Sequence, residues 1–400
     1  MSGLLKTKVD LGFIVNPFYL YCLAFSVSIL IYLFGWSNIF PALSVSLILF
    51  FAVTFVLFIF AGYYIVQKEV RKITSSSFKS YFVDIIFGLI ILLCLINLAY
   101  MGYIPILDRS HNYREFGMPV VDPLFSSLSI FFSVSVIHSF LDTRKKKLLI
   151  YFLIILSLQV ILYRRSTIIW ILTSSVFLIL IYKQRISLIV ILISIILIPL
   201  FSFCFGLYGN TRSKLSKSFV LDELGASEHF KNIGISHNHY MTYLYLSSPL
   251  ANLQDNVNNN RGNLDRNNLR EFIFYCFIPE SATIRLEKPL NLSPPSCYLI
   301  SAELLAGTYF MIGFYLLSWY GMGALVIYLF AFIILCLFVI GKWNKFRLET
   351  YSLLCTTVSL LIFSNFLNRL DVIFMLFVYP VIFHFIFTRD FKRFTSAEKP

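Results

Sequence analysis

The chain is poor in charge, poorer still in acids, and lacks the short motifs that assign a nucleotide or a metal. Charged residues make up 13% of its 400 positions, about half the roughly 25% of a soluble domain, with 20 Asp and Glu against 33 Lys and Arg. No GxxxxGK(S/T) loop is present, which excludes a P-loop for ATP, and no HExxH, which excludes a zinc protease of that type. No DxD pair of the kind that holds a metal–nucleotide sugar occurs, and the seven cysteines form neither CxxC nor any ligand spacing with His. Neither a metal nor a cofactor is therefore expected. Five of the cysteines lie in apolar stretches, as small buried hydrophobes do. Cys276 and Cys297 lie in the one long polar region, where an oxidising compartment would permit a disulfide. The first apolar stretch follows Lys6 and Lys8 but has no small-residue cleavage site behind it, so it reads as a retained helix rather than a signal peptide.

What the chain has in excess is apolar sequence. Hydrophobic residues reach 58% and mean hydropathy is +0.79, concentrated in continuous blocks of 16 to 25 residues. A helix of about 20 residues crosses roughly 30 Å of hydrocarbon. Continuous rather than alternating blocks exclude a β-barrel, and 43 Phe with 24 Tyr exclude low-complexity disorder. The blocks cover 17–36, 41–66, 83–103, 123–141, 148–163, 167–182, 186–207, 299–340, 352–368 and 372–387. With the N-terminus in the cytoplasm, alternating loops place nineteen basic residues inside and only five in the short outer loops. That asymmetry accounts for the net charge of +13 through topology, so nucleic acid is not an expected partner. It also requires a single span in 299–340, since two would carry Lys342, Lys345 and Arg347 outside. The expected fold is an all-α polytopic integral membrane protein of about ten transmembrane helices with both termini cytoplasmic. Its parts are a seven-span bundle over 1–207, an outer loop over 208–319 ending in a re-entrant or interfacial helix at 299–319, three spans over 320–387, and a tail over 388–400.

The outer side is expected to carry arginine at helix ends. Arg164 and Arg165 occupy the turn Tyr163-Arg164-Arg165-Ser166, Arg109 and Arg114 flank His111, Arg212 follows Gly209-Asn210-Thr211, and Arg369 precedes Leu370-Asp371. The basic residues of the short outer loops are all arginine. A guanidinium fork matches phosphate oxygens in pairs where an ammonium cannot; ordinary interfacial snorkelling is the alternative reading. In the long loop, His237 and His239 have the residue type of a general base near neutral pH, or that of solvated loop residues. The tract 252–268, with Asn256, Asn258, Asn259 and Asn260, reads as a flexible turn region. Tyr243 and Tyr245 are expected at the membrane surface or stacked on a sugar ring. Ionisable groups inside the spans are few (Asp84, His138, His384), which weakens a proton-coupled transporter.

These features together resemble the oligosaccharide repeat-unit polymerases, the Wzy-type O-antigen polymerases of bacterial inner membranes. Locally the resemblance rests on Gly102-Tyr103-Ile104-Pro105-Ile106-Leu107 followed by Arg109 and Arg114, on Tyr163–Ser166, on Gly209–Arg212, on Tyr243-Leu244-Tyr245-Leu246-Ser247-Ser248-Pro249-Leu250-Ala251-Asn252, and on Trp319-Tyr320-Gly321-Met322-Gly323. It implies a glycosyltransferase-C-like membrane architecture and metal-free transfer of a glycan from undecaprenyl diphosphate to the non-reducing end of a lipid-linked repeat unit, at the periplasmic face. Arg109, Arg114, Arg164, Arg165, Arg212 and Arg369 would bind the donor and Tyr243 and Tyr245 the sugars. His237, His239 or Glu223 would act as base. Membrane lipids, the undecaprenyl-diphosphate-linked oligosaccharide and a chain-length regulator are the implied partners. An O-antigen ligase sharing the donor, and a lipid-linked oligosaccharide flippase, remain the alternatives.

Overall fold

A computed structural model describes residues 8–10, 15–66, 80–108, 116–213, 216–259, 262–343 and 345–386. In chain order the helices are α1 (Pro17–Tyr32), α2 (Val45–Ala61), α3 (Ser80–Met101), α4 (Val121–Thr143), α5 (Lys146–Ile161), α6 (Arg165–Lys183), α7 (Leu188–Ser213), α8 (Glu228–Ile233), α9 (His237–Asn259), α10 (Arg266–Phe277), α11 (Glu280–Leu286), α12 (Met311–Trp343), α13 (Arg347–Leu360) and α14 (Leu370–Ile373). A π-helical stretch, Phe374–Val378, carries the last helix on to Ile386. Strand β1 (Lys8–Asp10) pairs antiparallel with β2 (Arg185–Ser187). Each of the ten apolar blocks overlaps a helix, the block 299–340 only from Met311 onward. Among the described residues, five helices are long and apolar enough to cross a membrane: Val45–Ile65, Phe82–Met101, Val121–Thr143, Arg165–Lys183 and Met311–Gly341. Along α2, Val45, Leu49, Val53, Val56 and Phe60 are more than half exposed, a surface that hydrocarbon covers and water would not tolerate. Apart from the β1–β2 pair, the regular structure of the described residues is helical, as in an all-α membrane protein.

Two compact units share the sequence: 1–66 with 185–330 and 358–368, and 67–184 with 331–357 and 369–400. This division cuts across the expected sequential parts. In the first unit, Asn16 starts α1 by accepting from Phe18 N at 3.0 Å, and Pro17 occupies the first helical position, where a missing N–H costs nothing. Tyr21 stacks on Phe58 of α2 at 4.3 Å and donates to Thr54. The region expected as a loop is folded. α9 packs along both α1 and α7, and most of its residues are buried. The expected flexible asparagine tract is, up to Asn259, the end of this helix. Asn252 donates to the carbonyls of Leu304 (2.6 Å) and Ala306 (2.7 Å) and accepts from Ile300 N. Asn256 accepts from Tyr298 N and donates to its carbonyl. These amides hold 298–306 as irregular chain with a turn in which Leu304 N donates to Ser301 O at 3.1 Å, and no helix forms over 299–308. α12 is two helical pieces, 311–317 and 319–343, joined across a kink at the non-helical Ser318 (φ 55°). There Gly321 lies so close to the Gly313 carbonyl that a Cβ would collide with it. Cys276 and Cys297 are both free thiols.

The second unit is built around α4, which contacts α3, α5, α6 and α14. Buried residues make up 89% of its span, against 28% for α3. It is also the helix richest in buried hydroxyls: Ser126, Ser127, Ser129, Ser133, Ser135 and Ser139. Small hydroxyl side chains let neighbouring helices approach closely where apolar bulk supplies no drive between them.

Candidate functional site

The turn between α5 and α6 is fixed by its backbone. Arg164 N donates to Gln159 O at 2.9 Å and Tyr163 N to Val160 O at 3.1 Å, with Tyr163 in the left-handed region at φ 54°. This is the Schellman pattern that ends a helix, with tyrosine where glycine is usual; the left-handed conformation costs an L-residue roughly 1–2 kcal/mol. It reverses the chain within two residues. Arg164 points inward, its side chain only 11% exposed, and pairs with Asp122 in the first turn of α4. It also donates to Ser126 Oγ, and its guanidinium lies 5.1 Å from the Phe125 ring and 5.9 Å from that of Phe116. Its Nε is buried without a partner among the described residues. Burial lowers its pKa to about 10, which leaves it fully charged at neutral pH. Arg165 is the first helical residue of α6 and is partly exposed. α6 has no side-chain cap at this end, so its first turn of N–H groups and its positive dipole end carry arginine where an acid is ordinarily favoured. Such an end attracts an anion.

Arg369 does not present an open fork either. Its Nε and Nη2 meet Asp371 Oδ1 and Oδ2 at 3.1 and 2.7 Å, a bidentate pair within the start of α14. The expectation of phosphate-ready forks is thus corrected at Arg164 and Arg369, because each already grips a carboxylate. The Arg-x-Asp spacing at 369–371 was legible in sequence; the Asp122 partner, 42 positions from Arg164, was not. Arg109 and Arg114 lie outside the described residues. Arg212 is in the last turn of α7.

In the first unit, His237 and His239 both fall in the first turn of α9, facing different neighbours. His239 Nδ1 lies 3.1 Å from Ser202 Oγ on α7, whose carbonyl also accepts from Thr242 at 2.7 Å. Beside them Gly206 of α7 passes so close to the Asn238 carbonyl that only glycine fits. His237 is half-buried, and burial together with the Lys217 ammonium lowers its pKa, leaving a neutral imidazole at pH 7 that can accept a proton. Glu223 is exposed at the end of a short π-helical stretch, Phe219–Glu223. Tyr243 is a correction. It is 2% exposed, stacked on Phe40 and Tyr240 and tilted against Trp36, a core position closed to a sugar. Tyr245 is partly exposed, its ring edge-on to Phe205 at 5.4 Å.

One cluster was missed. His138 of α4 meets Glu349 of α13 at 2.7 Å, and its other nitrogen lies 3.6 Å from Asp142. Sequence placed His138 near a helix end but gave no partner, since Glu349 lies 211 positions away. No known protein family, curated protein or solved structure matches the chain.

Proposed function

We propose that the chain is a bacterial inner-membrane glycosyltransferase of the repeat-unit polymerase type. It passes a growing glycan from undecaprenyl diphosphate to the non-reducing-end sugar of a second lipid-linked unit. With it we propose ten spans, an extracytoplasmic face bearing the α5–α6 turn, and cytoplasmic termini. The observation that carries the reading is the start of α6. A span begins there with two arginines and no cap, one buried and locked by Asp122, the other at the mouth of the helix dipole. Phosphates of a polyprenyl carrier sit at the depth of helix ends, and developing charge on a diphosphate leaving group is stabilised by a fork and by oriented N–H groups. In this division of labour Arg165 contacts the diphosphate, while Arg164 fixes the turn that presents it. His237 is the base of choice because its imidazole is neutral, while His239 is bonded to Ser202.

The test is polymerisation by purified protein on lipid-linked repeat units. Arg165→Lys should lose nearly as much activity as Arg165→Ala, because a point charge does not replace the fork. His237→Ala should slow transfer about 10²–10⁴-fold. Full activity of Arg165→Lys, or loss of activity on adding a chelator, would overturn this mechanism. Transfer to lipid A core in place of the repeat unit would reassign the chain to the ligases.

A further inference from the structure

The second unit holds a buried ionisable chain that donor binding does not use. Glu349, in the first turn of α13, is 0% exposed, and His138, on α4, is 3% exposed. Their side chains meet at 2.7 Å between Nδ1 and Oε1. Nε2 of the same imidazole lies 3.6 Å from Oδ2 of Asp142, one helical turn on. Asp142 is 30% exposed and accepts from the Tyr182 hydroxyl at 2.9 Å. The sequence that follows, Arg144-Lys145-Lys146-Lys147, is charged and exposed, so this end of α4 meets water. A carboxylate enclosed by helices is costly unless it is paired or protonated. An imidazole beside it makes the two states interconvertible.

Beyond the pair, the interior is polar and incompletely bonded. On α4, Ser127 and Ser135 turn back to the carbonyls of Pro123 and Phe131 at 2.7 and 2.9 Å, as helix serines commonly do. Ser129, Ser133 and Ser139 do not; their hydroxyls, and both amide atoms of fully buried Gln159 on α5, have no partner among the described residues. Ser174 donates to Thr356 at 2.8 Å, about two turns along α13 from Glu349. Buried polar atoms in such numbers are ordinarily satisfied by ordered water.

We propose that Asp142, His138 and Glu349 form a proton relay that loads and unloads one proton between the aqueous end of α4 and the hydrated interior of this unit. A proton from water adds to the Asp142 carboxylate and passes to Nε2, across a gap that a side-chain adjustment or one bridging water spans. The proton already on Nδ1 moves to Glu349 Oε1. One proton has entered, only N–H and O–H bonds have exchanged, and the imidazole is left as the other neutral tautomer. The reverse sequence restores it. The groups facing the relay are Asp142 and His138 on α4, Tyr182 on α6 and Glu349 on α13, with Arg144 electrostatically near Tyr182. From α3 and α5, Asp84, Lys147 and Tyr151 bond one another in a separate exposed group, and from the last helix Tyr379 bonds Ser127 in the other half of α4.

The test is difference infrared spectroscopy of the full chain in lipid bilayers across a pH jump. A protonated-carboxyl band that appears on acidification should vanish in Glu349→Gln and shift in frequency in Glu349→Asp. In Asp142→Asn the band should persist but rise about tenfold more slowly, or slower still. Should Glu349→Gln fail to fold, the shift in Glu349→Asp decides. An unshifted band in Glu349→Asp, an undiminished one in Glu349→Gln, or unchanged kinetics in Asp142→Asn would overturn the relay.

Discussion

Truncating Arg164 removes three interactions at once: the pair with Asp122, the hydrogen bond to Ser126 and the contacts with two aromatic rings. Asp122 stays behind with its side chain 28% exposed, so part of the stranded charge is rehydrated. Breaking a buried ion pair from one side costs about 3–5 kcal/mol, and this geometry belongs at the lower end of that range. Arg164→Ala should therefore lose about 3 kcal/mol of stability, and Arg164→Lys, which keeps the charge but loses fork and ring stacking, about 1–2 kcal/mol. Asp122→Asn in both backgrounds completes a cycle whose coupling should exceed about 1 kcal/mol. Arg165→Ala, at the partly exposed first position of α6, should cost less than Arg164→Ala. Equilibrium unfolding in mixed micelles gives all five numbers. A coupling near zero, or a larger loss at Arg165 than at Arg164, would refute the assignment of Arg164 as the anchor and Arg165 as the contact.

A reporter active only in the cytoplasm should be on when fused after Lys345 and off after Asn260; the opposite pattern would defeat the ten-span arrangement. Asn252→Ala should cost about 2 kcal/mol by unpairing backbone groups of Ile300, Leu304 and Ala306, and limited proteolysis should then cut within 298–306. For His237 the folded pKa is lowered, so a base there works above that value and is lost as pH falls through it. The acid limb of the rate should lie below the unperturbed value of about 6.5, and Lys217→Gln should move it upward in pH. An acid limb that moves down, or not at all, would remove Lys217 as its cause.

The long apolar helices were legible because hydrocarbon imposes one requirement on every spanning segment, and blocks such as 41–66 and 167–182 meet it without help from distant residues. α9 was not legible for the opposite reason. Its asparagines, histidines and Pro249 read as loop chemistry, and they become helix only because α1, α7 and the 298–306 segment supply partners for them. Tyr243 fell with it, since an aromatic that looks like a sugar platform in a loop becomes core once the loop is a helix. The arginine turn was visible as chemistry but not as geometry. Whether a guanidinium is open or occupied depends on an acid brought up by another helix, and sequence spacing does not report that for Asp122 or for Glu349 beside His138.

The way Asn252 and Asn256 grip their neighbour has a consequence for how this protein can change over time. A carboxamide presents the same donor and acceptor as a peptide group, so two side chains on a helix imitate the edge of a pleated sheet. What they hold is main chain, and main chain is the same whatever residue carries it. The exposed positions of this stretch, Ala302, Glu303 and Leu305, should therefore accept broad substitution, while Leu304, buried in the core with Ile300 packed beside it, and the two asparagines that read the main chain tolerate almost none. Between related chains, those exposed positions should drift in character while the stretch remains fixed in path.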